Sequence, residues 1–229
     1  MFKRILMLLT VVLVFSSQAL AQGARTKENL DLPFDALGLN EDDEDAPEVI
    51  IFYGQNYEGD GIFYALDRSS STRDGELARE KQEVARNINE FSERVQFGIV
   101  FYDRGIQKHP ANSRPTEATP GGKAAAIGFV MSRQSGGGSC AGKGVLECLR
   151  FANASSAKRN VIIALGDGCT HCPGMDAQQH AKQSLAEIAA TNFKRHQINS
   201  ILVGNDTSCK YWAKPLADAN GGKYSVIAK

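Results

Sequence analysis

The stretch Ile62-Phe63-Tyr64-Ala65-Leu66-Asp67-Arg68-Ser69-Ser70-Ser71 changes character at one residue. Its first half is wholly apolar or aromatic, as expected of a strand buried on both faces rather than one alternating with solvent. Its second half is polar. Residues two apart on an extended chain point the same way, so Asp67, Ser69 and Ser71 turn one carboxylate and two hydroxyls toward a common point just past a strand end.

Upstream, Val49 to Tyr53 is a second apolar and aromatic run. Tyr57-Glu58-Gly59-Asp60-Gly61 between the two has turn chemistry, which predicts an extra N-terminal hairpin strand leading into the first central strand. Downstream, Leu77, Val84, Ile88 and Phe91 recur at helical spacing, with Glu90 and Arg94 four apart outside the apolar stripe. Val95 to Tyr102 reads as the next strand, and 103–120, with Pro110, Pro115 and Pro120, as loop. Gly121 to Ser132 is a short helix, Gly136-Gly137-Gly138 a break, and Lys143 to Ala152 a helix again. Val161 to Leu165 is an apolar strand ending at Gly166-Asp167-Gly168. Asp176 with Gln179 resembles a capping box, opening a helix with Ala181, Leu185, Ile188 and Ala189 on one face. Asn199 to Val203 is a strand, Tyr211 to Ala219 a helix containing Pro215, and Lys223 to Ile227 a closing strand. No internal repeat interrupts this order. Strands alternating with helices predict an α/β fold, a doubly wound and mainly parallel sheet flanked by helices. In such sheets ligands bind outside the carboxyl ends of the strands.

That edge collects oxygen donors. Asp167 ends the later strand, and Ser139 closes the glycine loop. With Asp67, Ser69 and Ser71 they form a set of hard ligands suited to Mg²⁺, or to Mn²⁺ or Ca²⁺. Asp67-x-Ser69-x-Ser71, the Gly-Gly-Gly-Ser loop ending at Ser139, and the strand ending in Asp167-Gly168 resemble the metal-ion-dependent adhesion site of von Willebrand factor A domains. The similarity runs over roughly residues 60–227. It includes the closing Leu216-Ala217-x-Ala219-Asn220-Gly221-Gly222-x-Tyr224 stretch, common in bacterial members.

The resemblance implies a Rossmann-like fold in which Ser69 and Ser71 bind the cation directly, and Asp67 and Asp167 directly or through water. It also implies a protein partner whose Asp or Glu carboxylate completes the coordination. Ser139 stands where the family usually has threonine, and Ser70-Ser71-Thr72 where many members have Gly-Ser-Met.

The N-terminus has the order of a secretory signal peptide: Lys3 and Arg4, an apolar run from Ile5 to Phe15, and Ala19-Leu20-Ala21. Cleavage after Ala21 predicts a secreted or periplasmic protein, and the apolar run is short for a membrane span. Residues 22–47 read as an acidic, flexible linker, with Glu41-Asp42-Asp43-Glu44-Asp45 at its heart, and residues 48–229 as the domain. Two bases against nine acids give residues 23–48 a charge of −7, while 22 bases against 17 acids give residues 49–229 a charge of +5. That mild positive charge is scattered, with no aromatic-interleaved stripe, so nucleic acid is not an expected partner. No Gly-Lys-Ser/Thr follows the glycine loop, which argues against a nucleotide site.

Four of the five cysteines, Cys140, Cys169, Cys172 and Cys209, gather near the same sheet edge and are disulfide candidates framing the site. An odd count leaves at least one free, intermolecular or oxidised, and spacing does not settle the pairing. Cys148, on its helix, is expected to be a buried thiol. His109, His180 and His196 have no acidic or cysteine partner at useful spacing and read as surface or helix-end residues. The expectation is a binding module rather than an enzyme. The competing reading is a thiol-redox enzyme using Cys169 and Cys172, or a metal-assisted hydrolase with His171 as the nearby imidazole.

Overall fold

A computed structural model describes residues 46–72, 75–168, 170–204 and 211–228. The expected signal peptide, the linker up to residue 45, and Cys169 and Cys209 lie outside the described residues. The described residues open with β1 (Val49–Phe52) and β2 (Gln55–Glu58), then β3 (Gly61–Asp67), α1 (Glu76–Glu90) and β4 (Gln96–Tyr102). Two short strands, β5 (Ile106–His109) and β6 (Thr116–Glu117), precede α2 (Pro120–Met131) and α3 (Ala141–Ala154). The rest is β7 (Asn160–Gly166), α4 (Ala177–Thr191), β8 (Gln197–Val203), α5 (Ala213–Ala219) and β9 (Tyr224–Ile227). The main sheet runs β5-β4-β3-β7-β8-β9, with β6 also on β4. The five strands from β4 to β9 in that order are parallel, and only β5 and β6 run against β4.

Every residue of β3 is buried because the sheet is covered on both faces. Ile62, Tyr64 and Leu66 face a layer formed by α1, α2 and the hairpin, through Val84, Ile88, Val130 and Phe52. Phe63 and Ala65 face the opposite layer, where α3, α4 and α5 contribute Val145, Leu149, Ile188 and Leu216. Alternation is thus present, but both registers are apolar, which is why the strand reads as a continuous run. Among the described residues no helix is long and apolar enough to cross a membrane.

Three local expectations are corrected. The hairpin lies upstream of where the turn residues pointed. Its turn is Tyr53-Gly54, both at positive φ, and β1 and β2 pair with each other rather than with β3. Gly59 and Gly61 instead allow close approach to the start of β7: a Cβ on Gly61 would lie 1.9 Å from the Asn160 side-chain oxygen. Second, 103–120 is not only loop; β5 and β6 extend the sheet beyond β4. Third, α1 stops at Glu90, so Arg94 lies past the helix end and Glu90 instead pairs with Arg86 at 2.8 Å.

Candidate functional site

The carboxyl ends of β3 and β7 and the loop before α3 bring Asp67, Ser69, Ser71, Ser139 and Asp167 to one edge of the sheet. Asp67 is the last residue of β3 and is fully buried. One carboxylate oxygen accepts the Ser69 amide at 2.6 Å, and the other accepts the Ser139 hydroxyl at 3.0 Å. The chain then tightens into a short 3₁₀ turn over Ser70–Thr72, closed by the Thr72 hydroxyl donating to the Ser69 carbonyl at 2.8 Å. That turn sets the Ser69 and Ser71 hydroxyls 2.8 Å apart. Ser69, Ser71, Ser139 and Asp167 line a cleft of about 340 Å³, together with Ser70, Arg104, Gly138, His171 and Pro173. Asp67 is buried and tied to this lining by its hydrogen bonds from Ser69 and Ser139.

Electrostatics sets Asp67 apart. Burial, and then the nearby Asp167 carboxylate, push its pKa up to about 7, against the smaller opposing pull of the Ser69 and Ser139 hydrogen bonds. No basic side chain pairs with Asp67 among the described residues. Glu80, buried on α1, is pushed well above its usual range by burial and by the charges of Asp67 and Glu76. Among the described residues there is also no cluster of three or more His, Cys, Asp and Glu side chains. Any cation in the cleft would therefore depend on serine hydroxyls as well as carboxylates.

The surrounding loops are tied together. The Ser139 amide donates to the His171 carbonyl at 3.0 Å, the Thr170 hydroxyl to the Ser139 carbonyl at 3.3 Å, and the Cys140 amide to the Asp103 carbonyl at 2.8 Å. A disulfide joins Cys140 to Cys172, clamping the residue after Ser139 to the loop after Asp167. Cys172 is thus paired outside its own C-x-x-C motif, while Cys148 is a buried free thiol. His180 and His196 are buried, not at the surface as their sequence context suggested. His180 Nδ1 lies 2.6 Å from the Thr170 hydroxyl, and His196 Nε2 lies 3.1 Å from the Asn153 side-chain oxygen.

Residue-type patterns missed the layer behind the serines. Arg68, between Asp67 and Ser69, turns to Asp103 at 2.6 Å and to the Gln134 carbonyl at 2.8 Å. Asp103 sits just beyond β4 at the same sheet edge as Asp67, and that position was a signal available in the sequence. The glycine loop packs onto this pair. A Cβ on Gly136 would lie 2.0 Å from an Asp103 oxygen, so only glycine fits there unless Asp103 shifts.

No family model matches this sequence, and no curated protein matches it. Solved structures do. A von Willebrand factor type A protein from Catenulispora acidiphila superposes with a TM-score of 0.62 at 18% identity, over 75% of this chain and 39% of that one. BatB from Bacteroides thetaiotaomicron gives 0.52 at 17% identity, over 74% and 90%. The pilus adhesin SpaC from Lactobacillus rhamnosus GG, in an open conformation, gives 0.57 at 12%, over 76% and 28%. This chain thus spans about two fifths of the first protein's length and under a third of the third's. The layer order, the parallel sheet and these superpositions agree on the architecture: the chain has the fold of von Willebrand factor A domains.

Proposed function

We propose that the domain is a secreted, non-enzymatic binding module of adhesion type. It holds a divalent cation, Mg²⁺ or else Mn²⁺ or Ca²⁺, through Ser69, Ser71, Ser139, Asp67 and Asp167, and a protein partner completes the coordination with an Asp or Glu carboxylate. The observation that carries this reading is Asp67: a fully buried carboxylate, raised to about 7, beside a second carboxylate and three hydroxyls, with no basic side chain among the described residues to balance it. A bound cation would reverse that penalty, and with two carboxylates would be close to neutral, still able to accept one anionic oxygen. The hard-oxygen donor set suits these ions. One solved neighbour is a pilus adhesin, which favours an adhesive role. The Cys140–Cys172 disulfide favours an oxidising compartment, in keeping with export after Ala21.

The test is capture of partners from the native secretome by the immobilised full-length mature protein, with Mg²⁺ or with chelator. Capture should require Mg²⁺, be lost in Asp67→Ala, and be lost when one acidic residue of the captured partner is neutralised. Capture indifferent to chelator would overturn the reading. Turnover of a thiol or ester substrate that disappears in Cys172→Ser would make the chain an enzyme instead.

A further inference from the structure

We infer that Arg104 is a specificity-determining residue of this cleft, contacting a second acidic group of the partner, so that the site takes a peptide segment with two neighbouring carboxylates rather than a lone one. This deepens the metal-dependent reading and rests on it. Three observations point to Arg104. It lines the same cleft as Ser69, Ser71, Ser139 and Asp167. The glycine loop is shaped to receive its stem: a Cβ on Gly138 would come within 2.9 Å of Arg104 Cγ, and one on Gly137 would be 3.7 Å from Nε. Finally, Arg104 is exposed and forms no ion pair with another described residue, whereas neighbouring Arg68 is closed onto Asp103.

Charge explains why a second anion is needed. A divalent cation with Asp67 and Asp167 is near neutral and accepts one carboxylate, which leaves Arg104 as a positive charge at the rim with no ion pair to another described residue. The guanidinium is always protonated and presents a planar fork matched to a carboxylate. Its stem lies along the glycine loop, so less rotamer freedom remains to be lost on binding. Position relative to the cation then discriminates between partners: a single acid satisfies the metal, and an acid one or two residues away meets Arg104.

The experiment uses the intact mature protein and two dye-labelled synthetic peptides, capped Gly-Gly-Asp-Gly-Gly-Gly and capped Gly-Gly-Asp-Gly-Asp-Gly, titrated in Mg²⁺ and followed by fluorescence anisotropy. The diacid peptide should bind about fivefold more tightly, the upper range for an exposed ion pair. That preference should weaken in high salt. Arg104→Ala should remove the preference and Arg104→Lys keep part of it, while both retain the wild-type rise in melting temperature on adding Mg²⁺. Equal binding of the two peptides by the wild type, no binding of either at millimolar concentration, or a preference unchanged in Arg104→Ala would overturn the role of Arg104 while leaving the metal site standing. Absence of any Mg²⁺-induced melting shift in the wild type would instead overturn the metal reading, and the inference with it.

Discussion

Two buried carboxylates, Glu147 on α3 and Asp67 at the end of β3, meet burial in opposite ways. Burial alone would raise Glu147. Yet hydrogen bonds from Lys108 and Ser113, with the charges of Lys108 and Arg150, outweigh it and hold its pKa below the usual value. Lys108 lies at 2.6 Å and Arg150 at 2.7 Å, so this charge is neutralised within the fold. Asp67 is more deeply buried, and the donors facing it are uncharged, the Ser69 amide and the Ser69 and Ser139 hydroxyls, so it rises to about 7. A carboxylate completed by its own protein is structural. One that is buried and has no ion pair with a described residue is the kind of group that the proposed cation would balance. The difference lies not in how buried the acid is but in what faces it.

The largest expected effect is on pH dependence in chelator. Asp67 is raised from 3.8 to about 7, so the folded state holds its proton more tightly than the unfolded chain does. The stability this contributes is full below about pH 4 and is lost as pH rises through about 7. One pKa unit corresponds to about 1.4 kcal/mol, so the loss for this group is about 4 kcal/mol. Asp67→Asn should therefore flatten that limb and be the more stable protein at pH 8 without metal, as read from urea unfolding against pH. If the mutant falls with pH as steeply as the wild type, Asp67 is not the uncompensated charge.

Next in size is the tether. The Cys140–Cys172 bond closes a loop of sequence separation 32, and a link of that length contributes roughly 2–4 kcal/mol. Replacing both cysteines with serine should lower the urea midpoint accordingly. Because the bond clamps Ser139 to the loop after Asp167, it should also weaken the Mg²⁺-induced melting shift more than any equally destabilising change near Glu147. Equal weakening by both would detach the disulfide from the site.

Lys108→Met probes the other half of the comparison. Breaking a buried pair costs about 3–5 kcal/mol. With Arg150 and Ser113 still in place, a loss of roughly 2 kcal/mol is expected, with no change in Mg²⁺ response. A change in Mg²⁺ response would mean that the two carboxylates are not separate cases.

The smallest effects belong to Ser139. Ser139→Ala removes a hydrogen bond that lowers Asp67, so the pH midpoint in chelator should move further up, by well under the full burial effect. Ser139→Thr keeps the hydroxyl on a stiffer rotamer and should tighten metal binding slightly. Calorimetric titration of both variants checks this. If Ser139→Ala matches the wild type in both readouts, Ser139 neither supports Asp67 nor faces the ion.

Much of this was legible in the residues, for identifiable reasons. The run of residues 62–66 and the one at 161–165 declare doubly covered strands, because nothing in them tolerates solvent. The residues Asp67, Ser69 and Ser71 were visible at a strand end, but the extended period-two geometry read for them does not hold: β3 ends at Asp67, and a 3₁₀ turn over Ser70–Thr72 brings the two hydroxyls together. What escaped is what composition does not encode. β5 holds only Ile106 as an apolar residue and is half-buried throughout, so an edge strand passed for a loop. Gly59 and Gly61 looked like a turn because glycine serves turns and close contacts alike, and here it serves contact with β7. The buried places of His180 and His196 depend on α4 and on its neighbours across the fold, not on local spacing. The glycine loop was visible as a break, but that it seats Asp103 and Arg104 required β4 to arrive beside it. The Cys140–Cys172 pairing was one of several that the spacing allowed.

The central proposal is that Asp67 serves a divalent cation, and it can be tested by counting protons. Burial and the Asp167 charge hold Asp67 up at about 7, so it keeps part of its proton at neutral pH, and an incoming divalent ion must displace it. Calorimetric titration of Mg²⁺ into the mature protein at pH 7, in two buffers of different ionisation enthalpy, should show binding with release of a fraction of a proton per ion, larger at pH 6 than at pH 8. Asp67→Asn should show neither the proton release nor binding of wild-type strength. Binding that releases no proton, or persists unchanged in Asp67→Asn, would contradict the assignment of this site.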